Sequence, residues 1–144
     1  MLDIFTQSAK ILSAISHPKR LEIINLLRDR SLSVCEIFSM LGLPQANLSQ
    51  HLSVLRRNKI VSTKKSGKQI IYSLSNPRYL KVSDLVREAV TNEPIQNFPL
   101  VTDPVCGMQI SPTSSTHSLR HEGRIIYFCA SGCYQQFIQN QKHE

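Results

Sequence analysis

From Ile4 to Val90 apolar residues recur mostly at helical spacing, interrupted once by a stretch that reads as β-structure. Ile4, Ser8, Ile11, Leu12 and Ile15 form one stripe of a first helix. It must end before His17-Pro18, because a residue preceding proline avoids the helical region. Pro18 opens a second helix with Leu21, Ile23, Ile24 and Leu27 facing inward, and Ser31-Leu32-Ser33 breaks it. Ser33 can cap a third helix, Val34 to Leu41, with Glu36 at the third position after the cap and Gly42 as its stop. A short turn through Leu43-Pro44 then starts a fourth helix, whose Leu48, Leu52 and Leu55 lie on one side. After Asn58 the period changes. Two β-rich runs, Ile60 to Lys65 and Ile70 to Leu74, flank Ser66-Gly67-Lys68, which predicts a hairpin. Asn76 caps and Pro77 starts a fifth helix with a stripe of Tyr79, Val82, Val86 and Ala89, broadened by Leu85 and Val90.

The polar side of the fourth helix carries Gln45, Asn47, Ser49, Gln50 and His51, all able to exchange hydrogen bonds with base edges. Arg56 follows on the same helix, and the hairpin tip holds Lys64, Lys65 and Lys68. Taken singly, these are an amphipathic helix and a solvated loop. In this order they predict a winged helix-turn-helix, with the helix in the major groove and the wing on phosphate. Charge agrees: residues 1–92 hold 14 Lys and Arg against 6 Asp and Glu, a net +8, whereas residues 93–144 hold 3 against 4, a net −1. The expected partner is double-stranded operator DNA, an imperfect palindrome with half-sites about one helical turn apart. The first and fifth helices leave two apolar stripes outside so small a module, which predicts a homodimer.

No apolar run in the 144 residues approaches the roughly 20 that a membrane helix needs, and the N-terminal stretch lacks the pattern of a secretory signal. The expectation is therefore a cytoplasmic protein without membrane attachment, its four cysteines reduced. No nucleophile–base grouping, phosphate-binding glycine loop or Cys-x-x-Cys centre is evident, so an enzyme is not expected.

Residues 1–92 resemble the ArsR/SmtB family of bacterial winged-helix repressors. The resemblance rests on Leu12-Ser13-Ala14-Ile15-Ser16-His17-Pro18-Lys19-Arg20-Leu21, Leu32-Ser33-Val34-Cys35-Glu36-Ile37 and Asn47-Leu48-Ser49-Gln50-His51-Leu52. It implies a dimeric repressor that leaves DNA when an inducer binds. Arsenic-sensing members often carry two cysteines in the third helix, separated by one residue. Here those positions are Ser33 and Cys35, so a two-thiol site in that helix is absent. Cys35 is expected to pack, and at most to lend one weak ligand to a site completed elsewhere.

Residues 93–102, with Pro94 and Pro99, read as a semi-stiff linker to a third unit at 103–144. The expected fold is thus mainly α with a β-hairpin wing, plus a small α+β cysteine-containing C-terminal domain. In that tail Cys106 lies in an Asp-Pro…Gly turn, Cys129 closes a strand, and Cys133 follows four residues later. Helical spacing lets the last two converge, with the Cys106 turn folding over them. So few residues build little core, which calls for a metal or another staple. Three thiolates suit Zn(II) with a fourth ligand, Cu(I), Hg(II) or As(III). His121 is the candidate fourth ligand and Asp103 a weaker one, while His117 in its Ser/Thr-rich loop reads as a surface residue. The alternative for the cysteines is plain packing.

Asp103-Pro104-Val105-Cys106-Gly107-Met108, the run from Gly123 through Tyr127-Phe128-Cys129-Ala130-Ser131-Gly132-Cys133, and Phe137 resemble the YHS domain, a relative of the TRASH metal-binding domains. The resemblance implies heavy-metal binding without naming the ion. Together the two halves predict a repressor that senses a thiophilic metal or metalloid through Cys106, Cys129 and Cys133. The alternative is a redox or reactive-sulfur sensor built on the same thiols. An ion that orders residues 103–137 is expected to pull on the fifth helix through the Pro94–Pro99 linker and so re-space the two reading helices.

Overall fold

The computed structural model describes residues 3–144. Helix α1 spans Ile4–Ile15 and starts at Asp3, whose side chain accepts from Thr6 N. Helix α2, Pro18–Leu26, is capped by His17, whose Nδ1 accepts from Lys19 N at 3.0 Å. Ser33 caps α3, Val34–Leu41, by accepting from Glu36 N, and Gly42 ends it in the left-handed region at φ 68°. Helix α4 runs Gln45–Arg57, one residue after Pro44. Likewise α5 runs Arg78–Thr91, with Asn76 Oδ1 accepting from Arg78 N.

The hairpin pairs β2, Val61–Ser66, with β3, Gln69–Leu74, in antiparallel register from Val61 opposite Leu74 to Ser66 opposite Gln69. A two-residue strand that the sequence reading treats only as a helix break, β1 at Leu32–Ser33, joins the other edge of β3. It anchors the root of the wing to the start of α3. Ile23, Ile24, Leu27, Ile37, Leu41, Leu48, Leu55 and Ile60 are fully buried between these helices and the sheet. Truncating such a leucine to alanine typically costs about 2–5 kcal/mol.

Helix α5 buries none of its residues within the chain. The bidentate pair from Arg28 to Asp84 fastens it to α2. Leu85, Val86 and Val90 on α5 and Ile4, Phe5 and Leu12 on α1 are exposed. Between the two helices lies an open apolar groove of about 540 Å³, lined among others by Leu12, Ile15, Leu21, Val82, Val86 and Val90.

Residues 93–100 carry no helix or strand, yet they are pinned at two points. Ile95 N donates to Glu88 Oε1, and Gln96 exchanges hydrogen bonds with Thr113 Oγ1. The tail then builds two small antiparallel ladders. One pairs β4, Val101–Thr102, with β5, Gln109–Ile110; the other pairs β6, His117–His121, with β7, Arg124–Phe128. A short 3₁₀ turn at Pro112–Ser114 separates them, and α6, Ser131–Gln141, closes the chain. Instead of hanging from a linker, the tail is docked. Ile110, Phe128, Cys129, Ala130 and Cys133 belong to the same continuous core as the residues of α2, α3 and α4. Among the described residues no helix is long and apolar enough to cross a membrane.

Candidate metal centre and DNA-reading face

The cysteine site is built from a turn, a strand end and a helix start. Asp103 organises it. Its carboxylate is fully buried and accepts from Val105 N at 2.8 Å and Cys106 N at 3.3 Å through Oδ1. Through Oδ2 it accepts from Cys129 N at 2.8 Å. The first two bonds form an Asx turn, which the proline at position 104 and Gly107 at φ 79° complete. The third staples that turn to the end of β7. One carboxylate thereby fixes the backbone of two of the three cysteines.

Cys129 lies two residues ahead of α6 and Cys133 inside its first turn, so the strand-to-helix corner brings them together, not helical spacing alone. Cys106 Sγ sits 3.5 Å from Cys129 Sγ, which sits 3.6 Å from Cys133 Sγ. Sulfurs bound tetrahedrally to one ion at about 2.3 Å would stand about 3.8 Å apart, so the trio fits a single ion with little movement. The ligand atoms of Asp103, Cys106, Cys129 and Cys133 all lie within 4.8 Å of one another. Cys129 and Cys133 are buried and Cys106 is exposed, which leaves one open side for entry.

Hydrogen bonding divides the charge among the thiols. Contacts with Cys129 and then Cys133 hold the Cys106 thiol down to about 2, against the opposing effect of burial. The same contact with Cys106 pushes Cys129 up and Cys133 to about 12, and burial adds to both. Of the three, the exposed thiol is thus the readiest to lose its proton and the buried pair the most reluctant.

The fourth group of the cluster is Asp103, where the sequence reading favours His121. His121 instead lies edge-on to Phe137 at 5.5 Å between ring centroids, and His117 stacks on Tyr134 at 5.0 Å. Both rings serve the packing of α6 on the hairpin. The Asp-Pro-x-Cys-Gly pattern itself signals an Asx turn and was the clue to the aspartate. Cys35 is exposed on α3 and stands outside the cluster, which overturns its expected packing role. In this register the inward positions of α3 are taken by Ile37, Met40 and Leu41.

The start of α6 is also where the tail meets the reader. Helix α6 has no side-chain cap of its own. Glu22 of α2 supplies one, accepting from Ser131 N at 2.9 Å. Lys19 bridges Glu22 and Ser131 Oγ, and that hydroxyl reaches Leu41 O at 3.1 Å. Gly132 then presses on the α3–α4 turn so closely that a Cβ would meet Met40 O at 2.5 Å and Gly42 N at 2.6 Å. Further bonds tie the two parts: Asn25 Nδ2 to Ser114 O at 2.8 Å, Arg87 to Ser115 O, and Gln136 to Ser39 O. None of Lys19, Glu22, Ser131 or Gly132 carries a sequence signal for this joint, because it depends on how two parts dock.

On the other side of the turn, Gln45, Asn47, Ser49, Gln50 and Arg56 are exposed on α4, while Leu48, Leu52 and Leu55 are buried beneath them. His51 is half-buried, its ring 4.4 Å from that of His17. Lys64, Lys65 and Lys68 are exposed at the wing tip.

Residues 17–63 match the model of the bacterial regulatory proteins of the arsR family, and residues 101–143 match the YHS domain. The transcriptional repressor PagR of Bacillus anthracis is 39% identical over 71 residues, 49% of this chain and 71% of that protein. The transcriptional activator HlyU of Vibrio cholerae is 40% identical over 76 residues, 53% of this chain and 70% of that protein. The solved structure of HlyU from Vibrio cholerae superposes with a TM-score of 0.57 at 33% identity, covering 65% of this chain and all of that one. These relatives are regulators of transcription. With its winged helix-turn-helix, its cysteine-bearing tail and these matches, the chain belongs to the arsR family of bacterial DNA-binding transcriptional regulators and carries a YHS domain at its C-terminal end.

Proposed function

We propose that this protein is a dimeric repressor that releases its operator when Cys106, Cys129 and Cys133 take up a thiophilic metal or metalloid ion. The observation that carries the reading is the placement of the thiol trio at the start of α6, the end seated on α2 and on the α3–α4 turn. The donor set suits As(III), Cu(I), Hg(II) or Zn(II), and the bound ion would supply a positive charge shared by three thiolates. The buried thiols must lose their protons for that to happen. Loss of those S–H contacts re-seats Cys106 against its neighbours and shifts the first turn of α6. Ser131 and Gly132, lying between the two buried cysteines, carry the shift to Glu22 and to the backbone at Met40 and Gly42. That backbone is the hinge on which α4 sits. This route is shorter than one through the linker and α5.

In this reading Gln45, Asn47, Ser49 and Gln50 read base edges, and Arg56, Lys64, Lys65 and Lys68 hold phosphate. The exposed apolar faces of α1 and α5 form the homodimer contact. A second reading rests on the 3.5 Å contact between Cys106 and Cys129, close enough for a disulfide or sulfur bridge after a small movement.

The deciding experiment titrates the DNA complex of the full chain, anaerobically, with As(III), Cu(I), Hg(II), Zn(II) and polysulfide in turn. Release by one ion at one equivalent per subunit, reversed by a chelator and absent in Cys129→Ser, supports metal sensing. Release by polysulfide alone, reversed by dithiothreitol, supports the sulfur reading. Unaltered release by Cys106→Ser, Cys129→Ser and Cys133→Ser would remove the tail from the signal.

A further inference from the structure

Beside the recognition helix lies a basic cavity that neither the wing nor the cysteine site uses. It has a volume of about 450 Å³ and is lined by Arg20, Gln50, His51, Ser53, Val54 and Arg57. No acidic residue is among them. Among the described residues neither Arg20 nor Arg57 takes part in an ion pair, whereas neighbouring Lys19 is occupied by Glu22 and Ser131. Arg20 Nε is shut off from solvent and makes no hydrogen bond. Burial, followed by the charges of His17, Arg20 and Lys19, holds the His51 imidazole below its ordinary pKa. Positive potential is therefore gathered here without a counter-charge. Holding it so is unfavourable unless an anion completes the site.

Gln50 identifies the anion's source. It is an exposed residue of α4 that lines the same cavity, so a helix placed to read bases through Gln50 brings the flanking DNA backbone to Arg20 and Arg57. We propose that Arg20 of α2, with Arg57 and His51 of α4, forms a second phosphate grip on DNA, separate from the lysines of the wing. Arg20 supplies a planar fork suited to two phosphate oxygens, and Arg57 supplies charge from the exposed side. His51, turned toward His17, serves this grip and not a base edge. Phosphate contacts of this kind set register and carry no sequence information.

The test measures affinity of the full chain by fluorescence anisotropy across a salt series. The two probes are a random-sequence duplex and a duplex selected by the protein from a random pool. Arg20→Gln and Arg57→Gln should each flatten the slope of log affinity against log salt by about 0.9, equally on both duplexes. The steepness of binding between 50 and 200 mM salt should then fall by about 3-fold per variant. Losses from Arg20→Gln and from Lys64→Ala should add, since the two sites share no residue. An unchanged slope in both arginine variants overturns the proposal, and so does a loss confined to the selected duplex. Should Arg20→Gln fail to fold, Arg57→Gln, an exposed position, decides by the same slope.

Discussion

Asp103 meets three backbone N–H groups with one buried carboxylate, and replacing it by asparagine tests how much of the candidate metal centre depends on that. An amide presents one acceptor and one donor, so either Cys129 N or the Val105–Cys106 pair loses its partner. The expected cost is about 1–3 kcal/mol of stability, read by denaturant titration, for a buried donor left unmatched. Ion affinity should fall about 10- to 100-fold in a competition assay, the usual consequence of disturbing groups that orient ligands. Retention of full affinity would mean that the cysteines organise themselves. A second expectation concerns the unequal thiols. Cys106 is exposed and its thiol is held down to about 2 by its contacts with Cys129 and Cys133. Above that value it is a thiolate, so its alkylation by iodoacetamide in the metal-free protein should change little between about pH 5 and about pH 8. Cys129 and Cys133, pushed up and buried, should react last. A rate at Cys106 that climbs tenfold per pH unit through this range would refute the division of charge. At this scale the sequence was largely legible: three cysteines at telling intervals announce a soft site. The place of His121 was not, because it rests on which side chain the hairpin packs against Phe137.

Among the elements, α6 depends for its position on a distant part of the chain. Its N-terminus borrows its cap from Glu22, and Gly132 leaves no room between it and the α3–α4 turn. Gly132→Ala places a methyl against backbone atoms that cannot swing aside, so α6 must move off the turn. Because the thiols are untouched, ion uptake should persist near one equivalent while ion-driven release of DNA weakens by at least half of the wild-type coupling. That coupling is typically about 1–3 kcal/mol in such switches, well within reach of paired binding titrations with and without ion. Normal release by a folded Gly132→Ala protein would move the signal to another path. The helices, wing and caps of the reader were predictable because each follows from local chemistry: proline starts, a Ser33 cap, a Gly42 stop, alternation in the hairpin. The β1 strand and the α6 seat were not, since both are made by residues far apart in the chain. A two-residue strand such as Leu32–Ser33 has no periodicity to detect.

For the whole molecule, the exposed stripe on α5 carries the expectation of a dimer. Val90 is 79% exposed and Leu85 62%, values an isolated chain would bear at some cost. Val90→Glu should convert the protein to monomers in sedimentation velocity. It should also weaken operator binding far more than binding to a half-site. An unchanged sedimentation coefficient would show that α1 and α5 are not the contact. The core that runs from Ile37 and Leu41 into Phe128 and Cys133 has a different consequence, one for the lifetime of the protein. Two parts that share one core melt together, so heating should give a single calorimetric transition. An ion in hundredfold excess over its dissociation constant adds about 2.7 kcal/mol to that transition, raising its midpoint by roughly 10 °C. Two transitions, with only the smaller responding to ion, would show that the core divides. If it does not divide, the ion-free protein is the form that opens more often to cellular proteases. Its abundance, as well as its occupancy of DNA, then follows the supply of the ion.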